Sequence, residues 1–243
     1  PPPPPPPPPF FSKHKPANAL LRSLVGSEMC IRDRPQTSRP IGRNRRSTWT
    51  ELIEMVTKNQ AEAAVKTLLE YLEGDAQREG LEKTPQRVIE SWDEIFSGYN
   101  ADPKELLEST FNGEGYDGIV LLRDIEFHST CEHHLQPFSG RAHIAYIPVD
   151  RIVGISKLAR IVDAHAHRLQ NQERITKGVA DDLEKYLNPL GAAVIIEASH
   201  GCMRCRGVRK QNSVMTTSAM RGVFFEKAEP RQELMHLIQS RPL

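Results

Sequence analysis

Three stretches of this chain carry the residue types that bind metals, move protons and hold anions. The first, "STCEHHLQPF" (129–138), places Cys131, His133 and His134 within four positions, and the second, "SHGCMRCRG" (199–207), places His200, Cys202 and Cys205 within six. Thiolate and neutral imidazole are ligands that suit zinc, and a Cys and a His three apart can reach one ion from a single turn. Alone, the C-x-x-H pair is a weak signal, because a buried thiol beside a satisfied surface histidine has the same appearance.

The second stretch decides more. It follows "AAVIIEAS", which reads as a strand, and in a strand alternate side chains share a face. His200 and Cys202 then project with Val194, Ile196 and Ala198, and Cys205 falls on the other side. Two sites compete. A closed shell of Cys131, His134, Cys202 and Cys205 would be structural; an open one of Cys131, His134 and Cys202 would keep a fourth position for water. Alternation disfavours the closed shell, and a structural site has no use for His133 and His200 beside its ligands. In an open site, zinc brings the pKa of a bound water to roughly 7. A histidine, with an ordinary pKa of about 6.5, can then carry protons to and from a substrate.

The third stretch, "GISKLAR" (154–160), opens a helix with Ser156 as its cap and Lys157 and Arg160 close behind. Cations there oppose the helix dipole, and an anion bound at the terminus resolves the conflict. A solvated basic helix start is the plain alternative. "RCRGVRK" (204–210) adds Arg204, Arg206, Arg209 and Lys210, with Arg206 an even number of positions from Cys202. A hydrolytic metal beside a basic cluster implies a substrate with both a hydrolysable centre and phosphates.

These residues need a frame. Thr48 with Glu51 forms a capping box, and Leu52, Ile53, Val56, Leu68, Leu69 and Leu72 continue a helical stripe. A second helix begins at Thr84 with Pro85 in its first turn, carries Val88, Ile89, Trp92, Ile95 and Phe96, and ends near Gly98. Asp102, Pro103 and Glu105 announce a short third one. From Gly118 the period changes: Ile119, Leu121, Ile125 and Phe127 alternate with Asp124, Glu126 and His128, the pattern of a half-buried strand. "FSGRAHIAYIPV" (138–149) is the second strand. One helix follows with Leu158, Ile161, Val162 and Leu169, then another from about Gln172 to Leu187. "GAAVIIEASHGCM" and "NSVMTTSAMRGVFFE" are the third and fourth strands. Strands paired around two helices predict an α+β fold, an antiparallel sheet with helices on one face.

Composition bounds the rest. Lys+Arg 32 against Asp+Glu 31 gives a formal net charge of +1, so no global field points to nucleic acid or a membrane surface. No apolar run is long enough to span a bilayer and no secretory pattern is visible, so a soluble, cytoplasmic protein is expected. Residues 1–47 open with nine prolines and continue Ser/Lys/Arg-rich without periodicity, a composition expected to be disordered. Within it, "SLVGSEMCIRDR" (23–34) resembles translated sequencing-adapter DNA, with a transit peptide as the competing reading that the proline run, Glu28 and Asp33 fit poorly; the tract is set aside from the fold as disordered or non-native. Cys30 lies there, which leaves three of the four cysteines, a count that argues for a metal or a reactive thiol rather than a disulfide framework. The chain then divides into a helical region over 48–112 and a catalytic region over 113–243.

Taken in order, "STCEHH", "GISKLARIVD", "RLQNQERIT", "HGC" and "CRGVRKQNS" resemble GTP cyclohydrolase I, from about Thr48 to Glu226. The resemblance implies the tunnelling fold, a β-β-α-α-β-β unit with an N-terminal helical extension, assembled as a homodecamer with active sites at subunit interfaces. It implies that GTP is hydrolysed and rearranged to 7,8-dihydroneopterin triphosphate and formate. By position, Cys131, His134 and Cys202 would bind Zn2+, and Cys205 falls where the family has no fixed ligand. His200 would be the general acid/base, with His133 assisting and Ser156 taking part in the ribose rearrangement. Glu173 would bind the guanine edge, with Gln172 beside it. Lys157, Arg160, Arg206 and Arg87 would face ribose and triphosphate. His165 and His167 depart from the family pattern and read, like His128 and His143, as surface or packing histidines. Two rival readings remain: a metal-free sister enzyme acting on a pterin or deazapurine, which would lack the Cys-His and His-x-Cys pairs, and a zinc-stapled binding module, which would close its shell with Cys205.

Overall fold

The computed structural model describes residues 56–74 and 78–240, all within the unit that runs from Ile53 to Leu243. The tract over 1–47 and the capping box expected at Thr48 and Glu51 lie outside the described residues.

The first described helix, α1 (Lys58–Glu73), has its own capping box: the Thr57 hydroxyl accepts from the Gln60 N–H, and the Gln60 side chain accepts from the Thr57 N–H. Val56, expected on its stripe, therefore precedes the cap. Only Val65 of α1 is buried, while Leu68, Tyr71 and Leu72 face outward. The apolar spacing is present, but within this chain it does not meet the core. A short α2 (Glu79–Glu82) precedes α3 (Thr84–Ile95), which has Pro85 in its first turn and buries Ile89. After a 3-10 turn (Ser97–Asn100), Asp102 caps α4 (Pro103–Leu107) by accepting from the Lys104 N–H.

From Thr110 the chain turns to strands. β1 (Thr110–Asn112) and β4 (Arg151–Val153) form a small antiparallel ribbon. The main sheet has five strands in the order β5–β2–β3–β6–β7. β2 (Val120–Cys131), β3 (Pro137–Ile147), β6 (Gly191–His200) and β7 (Met215–Gly222) are antiparallel neighbours. The two-residue β5 (Leu169–Gln170) runs parallel to β2, so the sheet is mixed rather than wholly antiparallel. Leu169, expected on a helix, lies in this strand.

Helices α5 (Ile155–Ala166) and α6 (Gln172–Leu187) cover one face of the sheet. Between them and the strands lie Phe127, Ile144, Tyr146, Val194 and Ile196, packed on Leu158, Ile161, Ile175, Val179 and Leu183. Each such side chain contributes about 1.5–3 kcal/mol on burial. The other face is not bare: α8 (Val223–Glu226), read from the sequence as the end of the fourth strand but helical here, and α9 (Ala228–Gln239), which the sequence reading missed, place Phe224 and Leu234 over Ala145, Ile147 and Ala193. The expectation of helices on one face alone is corrected accordingly.

A β-bulge corrects a second expectation. Between Leu122 and Ile125 the register with β3 shifts by one residue, with Asp124 at φ 58. Ile119 and Leu121 therefore pack with the smaller cluster, and Ile125 and Phe127 with the larger. His143 is buried at this bulge and its Nδ1 accepts from the Asp124 N–H, a packing role as read from the sequence. Helix α5 is capped by Gly154, without a side-chain cap bond, and Ser156 sits one residue inside its start rather than at the cap. Among the described residues no helix is long and apolar enough to cross a membrane.

Candidate active site

The ends of β2 and β6 lie across β3 from one another, and the chemistry gathers there. Cys131 is the last residue of β2, and its loop folds back tightly: the Cys131 N–H donates to the Gln136 carbonyl, and the His134 and Leu135 N–H groups both donate to the Cys131 carbonyl. This turn brings His134 Nδ1 to 3.7 Å from Cys131 Sγ. Glu132 fastens the loop to α6 by accepting from Arg174 at 2.6 and 3.1 Å and from Asn171 at 3.1 Å. The Arg174 guanidinium holds the Glu132 carboxyl below the usual carboxylate range.

On the opposing strand, regular structure ends at His200, and α7 (Gly201–Arg204) begins at once. Cys202 is thus carried by a helical turn, not by the strand assumed in the alternation argument. Gly201 makes the turn possible, since a Cβ there would lie 2.7 Å from the Pro137 carbonyl oxygen. The result is a trio: the ligand atoms of Cys131, His134 and Cys202 all lie within 4.8 Å of one another. Tetrahedral zinc with Zn–S near 2.3 Å and Zn–N near 2.0 Å needs ligand atoms about 3.5–3.8 Å apart; Cys131 Sγ and His134 Nδ1 stand at 3.7 Å, and an approach of about an ångström at most brings in the rest of the trio. The donor chemistry agrees. Burial, and then the neighbouring Cys131 sulfur, push the Cys202 thiol above its ordinary pKa, and a divalent cation between the sulfurs would reverse both effects. Cys205 stays outside the trio, exposed, with its thiol donating to the Gly201 carbonyl at 2.9 Å.

Two histidines flank the trio. His133 is exposed, with Nδ1 at 3.8 Å from Cys131 Sγ. His200 is half-buried, stacked on Phe138 at a centroid distance of 4.6 Å and an interplanar angle of 7°, with Nε2 at 2.9 Å from Gln172 Oε1. Burial lowers its pKa, opposed by the charge of Glu173. Gln172, expected at the guanine edge, is fully buried and its amide is engaged inside the protein. Glu173 is the exposed member of that pair, in the first turn of α6.

The cations are dispersed. Ser156 is exposed and Lys157 partly buried in the first turn of α5. Arg160, one turn on, lines a cavity of about 210 Å³ with Ser97, Asp163 and His167. Arg206 is exposed just past α7, near enough to Cys202 for its charge to act on the thiol. Arg87 is exposed on α3. His165 pairs with Asp182 at 2.7 Å and His167 Nδ1 lies 3.3 Å from Ser97 Oγ, both packing roles, while His128 is a surface residue. The sequence reading missed Glu132, Asn171, Arg174 and Phe138. The signal for the first three was a carboxylate inside "CEHH" and a counter-charge inside "NQER".

With this geometry in hand, comparisons with known proteins become informative. The family model described as GTP cyclohydrolase I matches residues 61–239. The proteins named GTP cyclohydrolase 1 from Brucella canis and Brucella suis are each 46% identical to this chain over 211 residues, covering 86% of it and 98% of theirs. Among solved structures, the apo form of the archaeosine synthase QueF-Like covers 43% of this chain and 94% of its own at 17% identity, with a TM-score of 0.37.

Proposed function

The chain belongs to the GTP cyclohydrolase I family, and from that premise we propose that it converts GTP to 7,8-dihydroneopterin triphosphate and formate as a step of pterin biosynthesis. The observation that carries the reading is the trio of Cys131, His134 and Cys202 with His200 two residues from one ligand. These three side chains would hold zinc. When bound, zinc supplies Lewis-acid activation of water near neutral pH.

The rest falls to the chain's own groups. His200 protonates the guanine imidazole nitrogen as that ring opens and recovers its proton from the water that adds, with His133 assisting. Glu173 accepts from adjacent N–H donors on the guanine edge, a pattern adenine does not present. The effect of its charge on His200 supports one pocket for both. Ser156 takes part in the ribose rearrangement, and Lys157, Arg160, Arg206 and Arg87 neutralise the triphosphate.

On this reading the β-β-α-α-β-β unit over 113–243 is a tunnelling fold, the region over 48–112 is its helical extension, and the protein is cytoplasmic. The assembly is a homodecamer with sites at subunit interfaces. The outward-facing Leu68, Tyr71 and Leu72 of α1 support a partner copy, as do cations spread over α3, α5 and the segment after α7. The test pairs zinc content with GTP-dependent formate release and the appearance of a fluorescent pterin after oxidation. Stoichiometric zinc with both products is expected; stoichiometric zinc with neither product would refute the assignment.

A further inference from the structure

We propose that Gln172 is a positioning residue that fixes the tautomer of His200, keeping its proton on Nε2 and leaving Nδ1 as the nitrogen that exchanges protons with the substrate. Gln172 Nε2 lies 3.0 Å from the Ile196 carbonyl oxygen, 3.0 Å from the Met215 carbonyl oxygen and 3.1 Å from Thr217 Oγ1. Only an NH2 group can face two backbone carbonyls; the flipped amide would set oxygen against oxygen in a site from which water is excluded.

A hydroxyl chain gives the same direction. Thr176 Oγ1 donates to the Gln172 carbonyl at 2.8 Å, so at 2.6 Å from Thr217 it accepts, and Thr217 is left to accept from the amide. Gln172 Oε1 must then face His200, and an oxygen that only accepts requires a donor at 2.9 Å. His200 Nε2 therefore carries hydrogen, and in the neutral ring Nδ1 carries the lone pair. Phe138 stacked on the ring holds its plane, so Nε2 stays aimed at the amide oxygen. Gln172 acts at one remove, as the partners of histidine side chains do in metal sites. The inference rests on the proposed role of His200 as proton carrier.

Magic-angle-spinning 15N spectra of zinc-loaded protein labelled at the histidine ring nitrogens, with the His200 signals identified by their loss in His200→Ala, report the tautomer directly. At pH 8 we expect a protonated Nε2 and an unprotonated Nδ1; the opposite pair of shifts overturns the proposal. Gln172→Met removes the acceptor while keeping side-chain length. It should give a mixture of tautomers and a kcat lower by about 10–100-fold, with zinc content and KM for GTP within twofold of wild type. A raised KM at unchanged kcat would place the amide on the substrate instead and overturn it. If that buried variant does not fold, the wild-type spectrum decides alone. Full turnover by His200→Ala would sink the proton-carrier role, an outcome separate from the tautomer seen in the spectrum.

Discussion

The two halves of the proposed site are built differently. Around the metal trio and His200 several polar groups are committed: Glu132 to Arg174 and Asn171, Gln172 to the β6–β7 pair and His200, and Cys205 to its own helical turn. The cations proposed for the triphosphate are spread over three places, with Lys157 and Arg160 on α5, Arg87 on α3 and Arg206 in the segment after α7, and all but Lys157 are exposed. The difference is physical. Proton transfer and metal binding fail if a donor moves by an ångström, so those side chains are held by fixed hydrogen bonds and ring stacking. A triphosphate is a strong point-charge target that can gather long flexible side chains as it binds.

This contrast predicts graded effects. Cys202→Ala, which removes one of only three ligands, should lose bound zinc and reduce formate release to background; full zinc retention would show that the trio is not the site. His200→Ala should keep zinc and lower kcat by about 100–10,000-fold, the range of a general acid/base, and a loss below tenfold would remove it from proton transfer. Arg206→Ala should act on the other half. It should raise KM for GTP by roughly 10–100-fold, the equivalent of one charge-assisted hydrogen bond at about 1.5–3 kcal/mol, with little change in kcat. An unchanged KM would detach the segment after α7 from the phosphates.

The smallest effect concerns the strap that holds the metal loop. Glu132 has its pKa lowered in the folded chain, chiefly by Arg174, so its contribution is full above the unfolded carboxylate value of about 4.3 and fades as pH falls through the lower folded value. Both partners are partly solvated, which limits the pair to less than about 1 kcal/mol. Glu132→Gln should therefore lower Tm slightly at pH 7, with a gap to wild type that closes below about pH 4. A gap that persists at pH 3 would assign the loss to packing.

Much of this was legible in sequence because it rests on local signals. The turn-and-cap residues at Pro85 and Asp102, the run from Gln172 to Leu187 and the strand starting at Gly191 reappear as elements, although that strand ends at His200 instead of running on to Met203. That Cys131, His134 and Cys202 come together was legible as well, although for Cys202 the reason was wrong: a helical turn delivers it, because Gly201 lets the chain leave the strand against Pro137. What escaped was non-local. The bulge at Asp124 depends on a register shift against β3 and on His143, nineteen residues away. The burial of Gln172 depends on carbonyls from β6 and β7 that no spacing rule connects to it. On α1 the apolar stripe was read only in part, since Leu68, Leu69 and Leu72 lie on the helix while Val56 precedes its cap and the buried Val65 was not foreseen; periodicity cannot say whether a face meets its own core or something else.

The central claim is an open metal site of two sulfurs and one imidazole. Zinc K-edge X-ray absorption on the zinc-loaded protein tests it most directly. The account predicts two sulfurs near 2.3 Å with two nitrogen or oxygen scatterers near 2.0 Å, unchanged in Cys205→Ser. Three sulfurs in the wild-type shell, falling to two in that variant, would contradict it.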